Sequence, residues 1–196
     1  MAKRIIAISR QYGAGGHSLA ALLSEKLGIE YYDQDLIKEI AEKSGYSMET
    51  VEDQGEQMET GSAFLNVFRS NRFETNKQEQ IWDATKTVIR HLADKESCII
   101  LGRCANYVLR NREDVISVYL HADPETCAER LYAKTGTKPS EAEMKRVDKR
   151  RAAFYQYYTD WEWNDVNGYT ISLDTGKISI ERCADIIMEL FKEDEQ

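Results

Sequence analysis

The stretch Arg4-Ile-Ile-Ala-Ile-Ser-Arg-Gln-Tyr-Gly-Ala-Gly-Gly-His-Ser18 decides how the rest of this chain is read. A short apolar run, too brief and too rich in Ile to be a helix, leads into a glycine cluster. A helical pattern, Leu19 to Leu27, follows at once. Such an order suits anion binding: the strand fixes the loop, the glycines let backbone approach a phosphate, and the helix start offers unpaired N–H groups. The loop departs from the usual phosphate-loop pattern at two places. Arg10 stands where that pattern has its first Gly, and Gly16 where it has Lys. Gly13, Ala14, Gly15 and Gly16 therefore read as a phosphate cradle, with Ser18 placed to offer Mg²⁺ a hydroxyl. Arg10 and His17 are the nearby side chains able to replace the missing lysine charge, Arg10 with a two-pronged donor. The alternative is a glycine-rich turn that only joins strand to helix.

Working outward, Ile29–Tyr32 predicts a second strand and Gln34–Lys43 a helix, with Asp33 as its cap or as a site carboxylate, two roles that can coexist. Ser47–Phe73 is polar and weakly periodic and reads as an excursion from the core. A long helix over Lys77–Leu92 carries Ile81, Thr85, Val88, Ile89 and Leu92 on one face. Strands follow at Cys98–Leu101, Val115–Leu120 and Tyr169–Leu173. Helices are expected from Pro124 through Leu131, over Ser140–Tyr158 and over Ile178–Phe191. Strands alternating with helices predict one α/β domain spanning 1–196, a three-layer α/β/α arrangement around a five-stranded, mostly parallel sheet. Ligands on such sheets gather at the carboxyl ends of the strands.

Two further features sit there. Arg103 follows a buried strand and a Gly, where either a phosphate partner or simple snorkelling to solvent accounts for it. The run Lys145-Arg-Val-Asp-Lys-Arg-Arg151 sets cations along one helix, suited to neutralising transferring phosphoryl groups or else a solvated face paired with Glu141 and Glu143. The aromatic residues Phe154, Tyr155, Tyr158, Trp161 and Trp163 are expected to pack that helix onto the core.

Composition limits the possibilities. A chain of 196 residues, 42% apolar and with formal charge −8, buries a full core and argues against broad nucleic-acid or anionic-membrane binding. Four scattered cysteines and three histidines form no zinc signature, so buried reduced thiols are expected. Neither a signal sequence nor an apolar membrane-length run is visible, which predicts a cytoplasmic protein. Oligomeric state is not readable.

Taken together, these segments resemble the cytidylate-kinase-like family among the P-loop nucleoside-monophosphate kinases. The resemblance is carried by residues 8–16, Tyr-Tyr-Asp at 31–33, Cys-Ile-Ile-Leu-Gly-Arg-Cys-Ala at 98–105, Asp148–Tyr155 and Leu173-Asp-Thr175. It implies an acceptor-binding helical insertion near 45–76 and a lid near 132–160. By resemblance, Gly13 to Ser18 hold the donor phosphates and Arg130 lies near the donor. Asp33 and Arg103 face the acceptor, and Arg150 and Arg151 belong to the lid; with Arg10, read from the loop itself, they are the candidate catalytic cations. The implied activity is ATP- and Mg²⁺-dependent phosphoryl transfer to a small acceptor such as CMP. The alternatives are a catalytically weak or inactive nucleotide-binding regulatory protein and a kinase of a non-nucleotide small molecule. The family's loop Lys and the Asp after its strand-end Arg are replaced here by Gly16 and Cys104.

Overall fold

The computed structural model describes residues 4–55 and 72–192. The element order is β1 (Ile5–Arg10), α1 (Gly16–Leu27), β2 (Glu30–Tyr32), α2 (Gln34–Ser44), α3 (Met48–Gly55), α4 (Arg72–Lys95) and β3 (Cys98–Leu101). There follow α5 (Ala105–Val108), β4 (Val115–His121), α6 (Pro124–Thr135), α7 (Glu141–Thr159), a 3₁₀ turn (Val166–Gly168), β5 (Ile171–Asp174) and α8 (Ile180–Lys192).

All five strands are parallel, in the order β2-β3-β1-β4-β5. Strand β1 is therefore central, and the chain winds to opposite sides of it, opening a crevice at its carboxyl end. Every residue of β1 is buried, as both-faced burial of a parallel strand requires. Successive side chains alternate between two cores. Ile5 and Ala7 pack with Ile100, Tyr119 and the buried faces of α2, α4 and α7. Ile6 and Ile8 pack with Ile99, Leu101, Val118 and the helices α1 and α8. Each fully buried Ile or Leu here contributes about 1.5–3 kcal/mol.

Several expectations are sharpened. The strand runs past Ile8 to include Ser9 and Arg10, so Arg10 lies at the end of β1 and not in the loop. The long helix extends over Arg72–Lys95, and its predicted face is buried, with Ile81, Thr85, Val88, Ile89 and Leu92 at most 5% exposed. The helix from Pro124 runs on to Thr135, and Asp123 caps it by accepting from the Thr126 amide. Ser140 and Glu143 form a capping box that starts α7. All four cysteines are buried, and none is in a disulfide. The aromatic series docks α7 through Phe154, Tyr155 and Trp163, whereas Trp161 is 41% exposed. Of the expected insertion, α3 is described and brings Val51 fully into the core; residues 56–71 lie outside the described part of the chain.

Candidate active site

The phosphate loop is shaped by close approaches that exclude side chains. Gly13 and Gly15 have φ of 86° and 85°, a left-handed conformation that glycine adopts without strain. A Cβ on Gly13 would lie 2.7 Å from the Cys127 carbonyl, and one on Gly15 2.7 Å from Ile180 Cδ1. Between them Ala14 is fully buried; its N–H donates to the Gln11 carbonyl at 3.2 Å. Gly15 caps α1 and receives the helix's first hydrogen bond, from Leu19 N–H at 3.0 Å. The N–H groups of Gly16, His17 and Ser18 thus stand at a helix start without intrahelical acceptors, and no acidic residue occupies that first turn.

Arg10 and Gly16 are sterically interlocked. Arg10 is 6% exposed, and its stem lies so that a Cβ on Gly16 would sit 2.8 Å from Arg10 Cγ. The volume in which a loop lysine would begin is thus filled by the arginine that enters from β1.

The cleft in front of the loop measures about 560 Å³ and takes Arg10, Gly13, Gly15, Gly16, His17 and Ser18 from its floor. Arg130 and Lys134 from α6, Arg151 from α7 and Ile180 from α8 close its sides. Four cations face the space and no Asp or Glu is among its lining residues; Asp148, whose Oδ1 lies 3.9 Å from Arg151 Nη1, sits outside that lining. Arg130 is held by Thr175, through Nη1 to the hydroxyl at 2.8 Å and Nη2 to the carbonyl at 2.7 Å. The same buried hydroxyl donates to the Ala14 carbonyl at 2.9 Å, tying β5's end, α6 and the loop together.

Helix α7 reaches the loop through Tyr12. Its amide donates to Asp148 Oδ1 at 2.8 Å, and the Arg151 guanidinium lies 5.8 Å from its ring centroid. Arg151 also donates to the Arg10 carbonyl at 3.3 Å. Burial pushes the Asp148 carboxyl above its ordinary value, while the Tyr12 amide and Arg151 oppose that shift. Arg10, Arg103 and Arg151 together line a crevice of about 10 Å³, room for one water, between the ends of β1 and β3 and α7.

Arg103 is 5% exposed and donates from Nη1 to the Val51 carbonyl at 2.9 Å, which binds the β3 end to α3. It sits in a turn of three successive positive φ values: Gly102 at 78°, Arg103 at 56° and Cys104 at 55°. Non-glycine residues held there cost roughly 1–3 kcal/mol each, strain that collects at functional sites.

Two expectations are corrected. Asp33 occupies the N-cap position of α2 but makes no side-chain cap bond, because its φ of −138° and ψ of −78° turn the carboxylate away. It points back to the loop instead, with Oδ2 3.2 Å from His17 Nδ1. The two neighbouring arginines of α7 also separate. Arg151 enters the cleft, whereas Arg150, one residue earlier on the helix, lines neither the cleft nor the arginine crevice. Arg150's buried Nε has no hydrogen-bond partner among the described residues. The sequence reading missed Tyr12, Lys134, Asp148 and Thr175 as contributors. Asp148 and Thr175 fall within quoted motifs, but only the packing of α7 and β5 reveals what they touch.

The residues present fit a phosphate-bound Mg²⁺. Among the described residues there is no cluster of three or more His, Cys, Asp or Glu. Mg²⁺ on a nucleotide needs no such cage, since phosphates and waters complete its shell. Ser18, exposed in the cleft lining, offers the one hydroxyl such a site asks of the loop.

A parallel sheet with a glycine loop and a cationic cleft at its central strand defines a phosphate-loop kinase fold. Residues 5–177 match the model of the cytidylate kinase-like family, and the chain belongs to that family. A curated relative, the cytidylate kinase of Sulfurisphaera tokodaii, is 25% identical over 187 residues, covering 93% of this chain and 92% of that protein. Among solved structures, a protein from Eubacterium ventriosum superposes with a TM-score of 0.71 at 26% identity, over 99% of this chain and 100% of the other. Shikimate kinase from Acinetobacter baumannii, solved with shikimate, shares the fold with a TM-score of 0.56 at 17% identity over 99% and 96% of the chains. Family membership supports a phosphotransferase, in a family that uses ATP with Mg²⁺. Among the described residues no helix is long and apolar enough to cross a membrane.

Proposed function

We propose that this chain transfers the γ-phosphoryl group of ATP to a nucleoside monophosphate such as CMP. The observation that carries the reading is the cleft over the loop: four cations, a helix start and no lining carboxylate in about 560 Å³, the size of a small-molecule site. In support, the family and its curated relatives are named for cytidylate kinase.

In this reading the amides of Gly13, Ala14, Gly15, Gly16, His17 and Ser18 hold the donor's phosphates, and Arg130 and Lys134 flank the donor. Arg10 takes the place of the loop lysine, its fork directed at the transferring group. Arg103 and Asp33 face the acceptor, whose phosphate enters the crevice shared by Arg10, Arg103 and Arg151 as the lid opens. Arg150 belongs to the lid but acts away from the cleft floor. Mg²⁺, bound to the nucleotide and to Ser18, neutralises phosphate charge. The protein's own task is to set donor and acceptor in line, balance their charge and exclude water. No general base is needed when the acceptor is already a phosphate.

The test is ADP release by purified protein with ATP and Mg²⁺ across CMP, dCMP, UMP, AMP and GMP. A clear preference for one monophosphate supports the reading. Silence across the panel from protein that still binds ATP in calorimetry rejects it and leaves a non-nucleotide acceptor or a binding module.

A further inference from the structure

Beyond Asp148, on the other face of α7 from Arg151, a second cavity of about 610 Å³ opens. Lys145, Arg146 and Lys149 rim it, and Tyr119 and Trp163 form its wall. Those two rings are fixed. They are 4% and 8% exposed, meet edge to face at 5.6 Å, and the Trp163 carbonyl accepts from the Tyr169 hydroxyl at 2.7 Å.

The acidic groups at this cavity are few and already engaged. Asp148 lines it but accepts the Tyr12 amide, and Glu141 pairs with Lys145 where both side chains are more than half exposed. Exposed pairs of that kind are weak and readily exchanged for a ligand anion. In a chain of formal charge −8, three cations around a ring-walled hollow make a specific local field.

We propose that this cavity is a second ligand site, taking a small compound that joins a flat ring to a phosphate. The ring lies against Trp163 and Tyr119, and the phosphate meets Lys145, Arg146 and Lys149. The site does not depend on the kinase reading, because it is separate from the phosphate-loop cleft. It is nevertheless wired to it: Gln11 lines both cavities, and Asp148 lines this one while holding the loop's Tyr12 amide.

Trp82, Trp161 and Trp163 are the chain's three tryptophans, so Trp82→Phe/Trp161→Phe leaves Trp163 as sole reporter. That protein is titrated with CMP, and with cytidine and inorganic phosphate as the two halves. CMP is expected to change the emission saturably and to bind more tightly than either half. Adding Lys145→Ala/Lys149→Ala, at exposed positions, weakens that binding by roughly tenfold or more, as loss of charge-assisted bonds should. Trp163 also borders the arginine crevice, so the lysine comparison is decisive. No saturable change, or one that the lysine substitutions leave unaltered, overturns the proposal. If the tryptophan variant fails to fold, calorimetry on the otherwise intact protein replaces it. The number of CMP molecules bound must then fall by one when both lysines are removed; an unchanged number overturns the site.

Discussion

Gly16 and Arg10 share one volume, and that makes the altered loop a coupled change rather than a loss. A side chain at residue 16 meets Arg10 Cγ at 2.8 Å, so Gly16→Lys overpacks the loop. The expected cost is about 1–3 kcal/mol of stability, together with weaker ATP binding, read by thermal melting and calorimetry. Arg10→Gly/Gly16→Lys, which moves the cation and clears its path, should recover most of both. Asp148 gives a second prediction. Its carboxyl titrates above the ordinary value because it is buried, so the folded state binds its proton more tightly than the unfolded chain. The resulting stability is full below the unfolded value and is lost as pH rises through the folded one. Asp148→Asn keeps an acceptor for the Tyr12 amide without that loss. Its melting temperature should exceed wild type at neutral pH and converge with it in acid; equal separation at all pH values would contradict this.

At the scale of elements, one buried hydroxyl joins three parts of the cleft's surroundings. Thr175 stands after β5, receives Arg130 from α6 and donates to the loop carbonyl of Ala14. Thr175→Val keeps the shape and strands those partners, which costs about 1–3 kcal/mol. It should raise the KM for ATP more than it lowers kcat, and Thr175→Ser should restore both.

The elements also mark what was legible in the sequence. Strand and helix periodicities located the five strands and the cores of α1, α2, α4, α6, α7 and α8, because burial imposes them directly; α3 falls in a weakly periodic polar stretch, and α5 is a single turn too short to show a period. The glycine loop was legible for the same local reason. Contacts across the fold were not. Asp33 reads as a cap from its neighbours, yet its backbone turns the carboxylate toward His17. Arg150 and Arg151 look equivalent in a run of cations, and only the docking of α7 sends Arg151 to the loop.

Across the whole molecule, the central claim is that a sheet, a glycine loop and a lid carry out phosphoryl transfer with an arginine from β1 in place of the loop lysine. On this acidic chain, four cations gather around the cleft without a carboxylate in its lining, and four more lie along α7. The most direct test measures turnover and ATP affinity side by side for wild type, Arg10→Lys and Arg10→Ala, with the preferred monophosphate as acceptor. Arg10→Ala is predicted to lose roughly two to three orders of magnitude in kcat, the usual cost of one charge-stabilising donor, with only a moderate loss of ATP affinity. Arg10→Lys should fall between. An Arg10→Ala protein that folds, binds ATP and turns over at the wild-type rate would contradict the account.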